Sequence, residues 1–267
     1  MNGTASHTAV RWADGRFGAS DETVADEVPV AMVYNGVSHA VMMASPGDLE
    51  ELAIGFTLTE GIADRYADIV DVELAGVDGG IEARITLAQH PWQRLKAQRR
   101  QLAGRSGCGL CGAEHLQSAL RPVARIDSNY TTDAGTLLAG LTAMAAEQPL
   151  NRATGSAHAA GWLGAGPLLV REDIGRHNAV DKLVGALRMQ RRSDDGALLV
   201  TSRASYEIVH KAAAAGIPVI AAISGPTRLA IEMAESAGIA LIGFTRDERL
   251  TVYSHTWRLD GPNTVAG

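Results

Sequence analysis

Between residues 196 and 243 the chain alternates short, uninterrupted apolar runs with helical patterns, and few folds accept that order. Ala197-Leu198-Leu199-Val200 reads as a strand, Ser205 to Ala215 as a helix stopped by Gly216, and Ile217 to Ala222 as a second strand. Pro226 to Ala237 follows as a helix stopped by Gly238, then Ile239 to Gly243 as a third strand. Runs that are apolar at every position belong to strands covered on both faces, and strand–helix–strand order makes them parallel with right-handed crossovers. Thr136 to Glu147 and Asn178 to Met189 read as further helices, with strands at His158 to Leu163 and Leu168 to Val170. The second half is therefore expected to be an α/β unit.

The first half reads differently. Pro29 to Tyr34 and Val37 to Met43 flank Asn35-Gly36, the pair suited to the positive φ angles of a type I′ hairpin. Asp71 to Leu74 and Ile81 to Leu87 flank Asp78-Gly79-Gly80 as a second hairpin. Ser45-Pro46-Gly47-Asp48 looks like a helix start, with Ser45 as the cap and Gly61 as the stop. Trp92 to Leu102 and Ala113 to Leu120 also carry helical patterns. The weakest-patterned interior segment is Arg121 to Asp133, which sets the expected division: a flexible N-terminus over 1–26, a hairpin–helix domain over 27–128, and an α/β domain over 129–267.

Composition removes several function classes. A net charge of −6 gives no global field for nucleic acid. No stretch is long and apolar enough to span a bilayer, and the polar first residues lack a signal-peptide core. The expected compartment is the reducing cytoplasm, where paired cysteines mean redox, metal or sulfur chemistry more often than a structural bridge.

The only two cysteines stand together in Gly107-Cys108-Gly109-Leu110-Cys111-Gly112. Glycines on both sides give a partner close access to the sulfurs. The approach carries Arg94, Lys96, Arg99, Arg100 and Arg105 and no acid, and positive charge favours the nucleophilic thiolate. Three chemistries compete. A thioredoxin-like dithiol would follow a strand inside a βαβ unit, whereas this pair precedes the parallel unit. A structural zinc needs four ligands, and only His115 stands close as a third. A sulfur carrier would hold a sulfane sulfur as a persulfide on one cysteine, with the second shielding or releasing it.

A second constellation sits where the parallel strands should end. In open α/β sheets, ligands collect beyond the strand carboxyl ends. Those ends read Thr201-Ser202-Arg203, Ser224-Gly225-Pro226-Thr227 and Phe244-Thr245-Arg246-Asp247-Glu248-Arg249. Helix N-termini there, with Arg203, Arg228, Arg246 and Arg249, suit an anion such as a pyrophosphate; polar strand–helix loops carrying caps would look the same. Glu172-Asp173-Ile174-Gly175-Arg176-His177-Asn178, with Asp181 and Lys182, is either a helix start with surface pairs or an addition to that anion site. His158, among small residues, reads as a buried histidine with room beside it.

Taken in order, VYNG at 33–36, PGDLEELAIGFTLTEG at 46–61, GRSGCGLCG at 104–112, HAA at 158–160, EDIGRHNAVDKLVG at 172–185, TSRASYEIVHK at 201–211, SGPTRLA at 224–230 and LIGF at 241–244 resemble the formate dehydrogenase accessory sulfurtransferase family, FdhD. The resemblance implies a cytoplasmic, dimeric sulfurtransferase that moves sulfur from a cysteine desulfurase to the molybdenum cofactor, Mo-bis-molybdopterin guanine dinucleotide, for formate dehydrogenase. It implies an α+β N-terminal domain carrying the CxxC loop and a three-layer α/β/α C-terminal domain of cytidine deaminase-like fold. It puts the persulfide on Cys108 with Cys111 as partner, and cofactor binding on Phe244, Thr245, Arg246, Asp247, Glu248 and Arg249, with no metal site, no nucleic acid and no membrane. A chaperone that holds the cofactor without transferring sulfur is the alternative.

Overall fold

In the computed structural model, the described residues are 3–104, 123–246 and 248–260, the side chains of 98–104 and 246 excepted. The chain begins with a ribbon of two antiparallel strands, β1 (Thr4–Ala13) and β2 (Arg16–Ala25), paired over all ten residues. This corrects the expectation of a flexible segment over 1–26. Asp14 and Gly15 both take positive φ, as a tight hairpin turn requires. Trp12 sits opposite Phe17 and Val10 opposite Ala19, which gives the ribbon cross-strand side-chain pairs.

β3 (Val28–Tyr34) and β4 (Val37–Ala44) form the expected hairpin, with Asn35 and Gly36 at positive φ. Helix α1 (Leu49–Thr59) follows, then β5 (Ile69–Val77), β6 (Gly80–Leu87) and helix α2 (Gln89–Gly104). The sheet order is β4-β3-β6-β5, with β3 parallel to β6 and the other pairs antiparallel. Its inner face, with Val30, Met32, Ala83 and Ile85, buries Leu52 and Phe56 of α1 together with Leu95 of α2. Each such side chain taken from water contributes about 1.5–3 kcal/mol.

The expected start of α1 is also corrected. Leu49 is its first residue, the capping position is Asp48 in the left-handed region, and no side chain caps it. Ser45 turns elsewhere: its N–H and its hydroxyl both reach Asp173 at 3.0 Å. A buried partner distant in sequence outcompetes the local cap.

After residue 123 the elements are β7 (Thr132–Asp133), α3 (Ala134–Ala146), α4 (Pro149–Thr154), β8 (His158–Gly164), β9 (Leu169–Asp173) and α5 (Arg176–Met189). They continue with β10 (Gly196–Val200), α6 (Tyr206–Ala214), β11 (Val219–Ala222), α7 (Arg228–Ala237), β12 (Ala240–Arg246), β13 (Arg249–Val252) and β14 (Leu259–Asp260). The six-stranded sheet runs β13-β12-β11-β10-β8-β9. The βαβαβ reading holds for β10, β11 and β12, which are parallel; β8 and β13 flank them antiparallel, and β9, antiparallel to β8, runs in the direction of β10. Helices α5, α6 and α7 cover one face through Leu183, Ile208 and Ala234 on Leu198, Ile220 and Leu241. Helix α3 covers the other through Leu137, Leu141 and Met144 on Leu199, Ala221 and Ile242. The result is a mixed α/β molecule with a three-layer second half.

The halves meet where α1 crosses α5. A Cβ on Gly55 would fall 1.7 Å from the Asp181 carbonyl oxygen, and one on Gly185 would fall 1.9 Å from that of Glu51. Only glycine permits that approach.

Candidate functional site

Cys108, Cys111 and His115 lie outside the described residues, as do Asp247 and the helical pattern at 113–120. Helix α2 leads toward the cysteine motif, and its first turns are tied to the body. The Arg94 guanidinium donates to Asp64 at 2.6 Å and to the carbonyls of Gly61 and Ile62.

The described part of the site is the carboxyl edge of the parallel strands. The polar segments there are laced by their backbones. Ile223 N–H donates to the Val200 carbonyl, Thr227 N–H to that of Ala204, and Phe244 N–H to that of Ser224. The Thr245 hydroxyl donates to the Ala222 carbonyl at 2.7 Å, so this candidate side chain is spent on holding the edge together. The antiparallel β8 starts at the same edge. Ala159 N–H donates to the Thr201 hydroxyl at 2.9 Å, which puts His158 beside Thr201.

Phe244, Thr245 and Arg246 are strand rather than loop. β12 continues to Arg246 and β13 starts at Arg249, with their register shifting between Gly243 and Arg246. Phe244 and Glu248 take positive φ, unusual for such side chains. The Phe244 ring lies over Gly225, where a Cβ would fall 2.7 Å from the ring edge, and the ring stays 44 % exposed. Thr245 and Glu248 line a cavity of about 430 Å³, walled on the other side by Leu138 and Thr142 of α3.

Arg176 and His177 open α5 at the same edge. Arg176 Nε and His177 Nε2 are buried atoms with no hydrogen-bond partner among the described residues. Burial, and then the Arg176 charge, push the pKa of His177 and of His158 below the usual 6.5. Both rings are thereby held neutral, as donors and acceptors rather than as cations. His177 Nε2 is 3.9 Å from Glu207 on α6. Arg203 and Arg249 are exposed at the edge, whereas Arg228 turns along α7 to Glu232.

A second cavity of about 350 Å³ opens between the halves, from Phe56 of α1 and Glu60 at its end to His177 of α5 and His210 of α6. Its floor is a closed ionic network. Lys211 donates to both Asp181 oxygens at 2.9 Å, to Glu60 and to the Thr59 hydroxyl. Complete burial raises the pKa of Asp181 against the pull of Lys211. Burial works against the Lys211 ammonium, but Asp181 and Glu60 outweigh it and raise its pKa.

The structure therefore divides the polar cluster at 172–182. Asp173 accepts from Ser45, Gly175 and Asn178 and pairs with Lys182 at 2.7 Å, both side chains fully buried. Glu172 accepts the N–H groups of Leu150 and Asn151 at the start of α4. These three, Glu172, Asp173 and Lys182, join elements, as does Asp181. Arg176 and His177 alone face the edge. Sequence reasoning missed Glu60 at the end of α1 and Glu207, His210 and Lys211, which stand one turn apart on α6; they become neighbours only through the crossing. No group of three or more His, Cys, Asp or Glu side chains able to hold a metal occurs among the described residues, and no described helix is long and apolar enough to cross a membrane.

Known proteins resemble this chain in sequence and in fold. The family model described as FdhD/NarQ family matches residues 25–260. The chain is 48% identical to the sulfur carrier protein FdhD of Cupriavidus necator, over 96% of this chain and 90% of that protein. It is 47% identical to the one from Bordetella petrii, over 96% and 94%. The crystal structure of a protein assigned as a formate dehydrogenase accessory protein from Desulfotalea psychrophila superposes with a TM-score of 0.76 at 26% identity, covering 96% of this chain and 99% of that one.

Proposed function

The chain belongs to the FdhD/NarQ family, and from that premise we propose that it is a sulfur carrier that takes sulfur from a cysteine desulfurase and delivers it to the molybdenum cofactor used by formate dehydrogenase. The observation that carries the reading is a chain with only two cysteines, set at CxxC spacing between glycines, that matches proteins named as sulfur carriers along nearly all its length.

The Cys108 thiolate attacks the outer sulfur of the donor's persulfide. The donor's S–S bond breaks, its cysteine leaves as a thiolate, and Cys108 holds the sulfane sulfur. Attack of Cys111 on the inner sulfur releases the outer one as hydrosulfide and leaves a Cys108–Cys111 disulfide, which an external thiol reduces. The basic approach to the motif favours the thiolate form.

The cargo, Mo-bis-molybdopterin guanine dinucleotide, is anionic, and the carboxyl edge is where this chain best accepts it. Arg203 and Arg249 are exposed there, Arg176 Nε has no hydrogen-bond partner among the described residues, and the N-terminus of α6 opens onto the same edge. The neutral rings of His158 and His177 add hydrogen bonds without charge. Phe244 offers a partly exposed ring for stacking, and Glu248 an acceptor for the donor edge of guanine. The division near residue 128 and the cytidine deaminase-like classification of the second half belong to the same proposal.

Incubation of the full chain with a cysteine desulfurase and cysteine, followed by mass spectrometry, tests it. Cys108 gains the mass of one sulfur atom, and Cys108→Ala gains none. If Cys108→Ala still supports active formate dehydrogenase, the chain is a cofactor chaperone and the carrier reading fails.

A further inference from the structure

The cavity between the halves has a lining that selects its ligand. Its volume of about 350 Å³ lies at the small end of ligand cavities. Three carboxylates line it, Glu60, Asp181 and Glu207, against the single base Lys211. Counting Arg176, whose charge reaches both His177 and Glu207, still leaves the acids ahead by three to two. The Lys211 ammonium is committed to Asp181, Glu60 and Thr59. An entering anion would therefore meet surplus negative charge, and an entering cation would be drawn in.

The acids differ in what they already hold. Asp181 is buried and accepts from Lys211 and from the Thr59 hydroxyl. The Glu207 side chain is 56% exposed, and no Lys or Arg among the described residues pairs with it. Its nearest base is His177, whose Nε2 lies 3.9 Å away, too far for a hydrogen bond. That Nε2 is buried and has no hydrogen-bond partner among the described residues. With the ring proton on Nδ1, Nε2 is an acceptor. Two acceptors at this separation are bridged by one donor group about 2.9 Å from each, and a positively charged donor meets the Glu207 charge as well.

The walls fix the shape of that donor. Tyr206 and His210 stand with ring centroids 6.0 Å apart and planes tilted by 30°, and Phe56 lies across the cavity. Cations are attracted to aromatic faces, and a planar guanidinium stacks on one while its forked N–H groups reach two acceptors. A compact ammonium makes less of such a site. We propose that the cavity is an anchor pocket for the arginine side chain of a protein partner, with its guanidinium between Glu207 and His177 Nε2 and its flat face on Tyr206. Arginine is among the residues that most often anchor protein interfaces. The choice of a protein as the source of the guanidinium rests on the sulfur-carrier reading, because a carrier must dock on its donor and its acceptor. The preference of the cavity for a guanidinium stands whether or not Cys108 takes up sulfur.

Nuclear magnetic resonance titration of the isotopically labelled full chain reads the outcome. Nα-acetyl-arginine methylamide, which imitates an arginine within a chain, produces a saturable shift of the His177 imidazole signals. The citrulline analogue, equal in shape but uncharged, binds at least about tenfold more weakly, as the loss of a hydrogen bond to a charged group requires. Glu207→Gln, a change at an exposed side chain, weakens the arginine probe by a similar factor with unchanged far-ultraviolet circular dichroism. No saturable shift, equal binding of the citrulline analogue, or full affinity in Glu207→Gln would each overturn the proposal. Free L-arginine binding tenfold tighter than the capped probe would overturn the protein partner and make the pocket a small-molecule site.

Discussion

The junction between the halves and the carboxyl edge of the six-stranded sheet are both rich in charge, yet they handle it in opposite ways. At the junction every buried charge has a protein partner: Asp173 has Lys182, Asp181 has Lys211, and Arg171 holds Glu51 through two hydrogen bonds. At the edge, Arg176 Nε and His177 Nε2 are buried without a hydrogen-bond partner among the described residues, while Arg203 and Arg249 face solvent. Burying a charge is tolerated only with compensation. Paired charge therefore marks architecture, and the uncompensated polar atoms lie at the edge proposed above for the cofactor.

The largest effect should come from breaking a junction pair. Lys182→Met leaves Asp173 buried without its cation and should destabilise the chain by about 3–5 kcal/mol, read as a lower midpoint in urea unfolding; a midpoint that does not move would erase the distinction. Gly55→Ala comes next. The added methyl meets a backbone carbonyl that cannot rotate away, and overpacking of this kind costs about 3 kcal/mol.

Smaller still is the acid limb. His158 and His177 have folded pKa values below 6.5, so the unfolded chain binds more protons just under that pH. Stability is then complete above pH 6.5 and falls as the pH drops through the folded values. His177→Gln should flatten that limb in unfolding titrations between pH 5 and about 7; an unchanged slope would remove His177 from the argument. The smallest stability effect belongs to Arg203→Ala at the edge, less than about 0.5 kcal/mol. The same variant should weaken binding of a guanine dinucleotide measured by calorimetry, and unaltered affinity would take Arg203 out of the anion site.

What the sequence discloses follows the same line. The parallel strands were legible because Leu198, Ile220 and Leu241 sit in runs apolar at every position, a pattern that burial on both faces demands. Gly61 and Asn35-Gly36 were legible because a stop and a tight turn are local chemistry. Ser45 was misread because its partner, Asp173, stands 128 residues away, and no local pattern carries that information. The opening ribbon was missed because its apolar residues crowd at one tip, although Asp14-Gly15 signalled a turn. At the edge, the strand-end segments named residues but not what each side chain does: the Thr245 hydroxyl turns inward to a carbonyl, and Phe244, Thr245 and Arg246 belong to β12 rather than to a free loop. Cys108 and Cys111 were singled out by composition and spacing alone.

The glycine crossing of α1 on α5 has a mechanical consequence. A joint made of side chains has some play, because rotamers give; one made of main chain on main chain has none. Gly55 and Gly185 clamp the helices at two points one helical turn apart, which locks rotation as well as separation. The two halves then act as one rigid chassis. Whatever travels when sulfur changes hands is a surface segment or a docked partner, moving against a frame that does not bend.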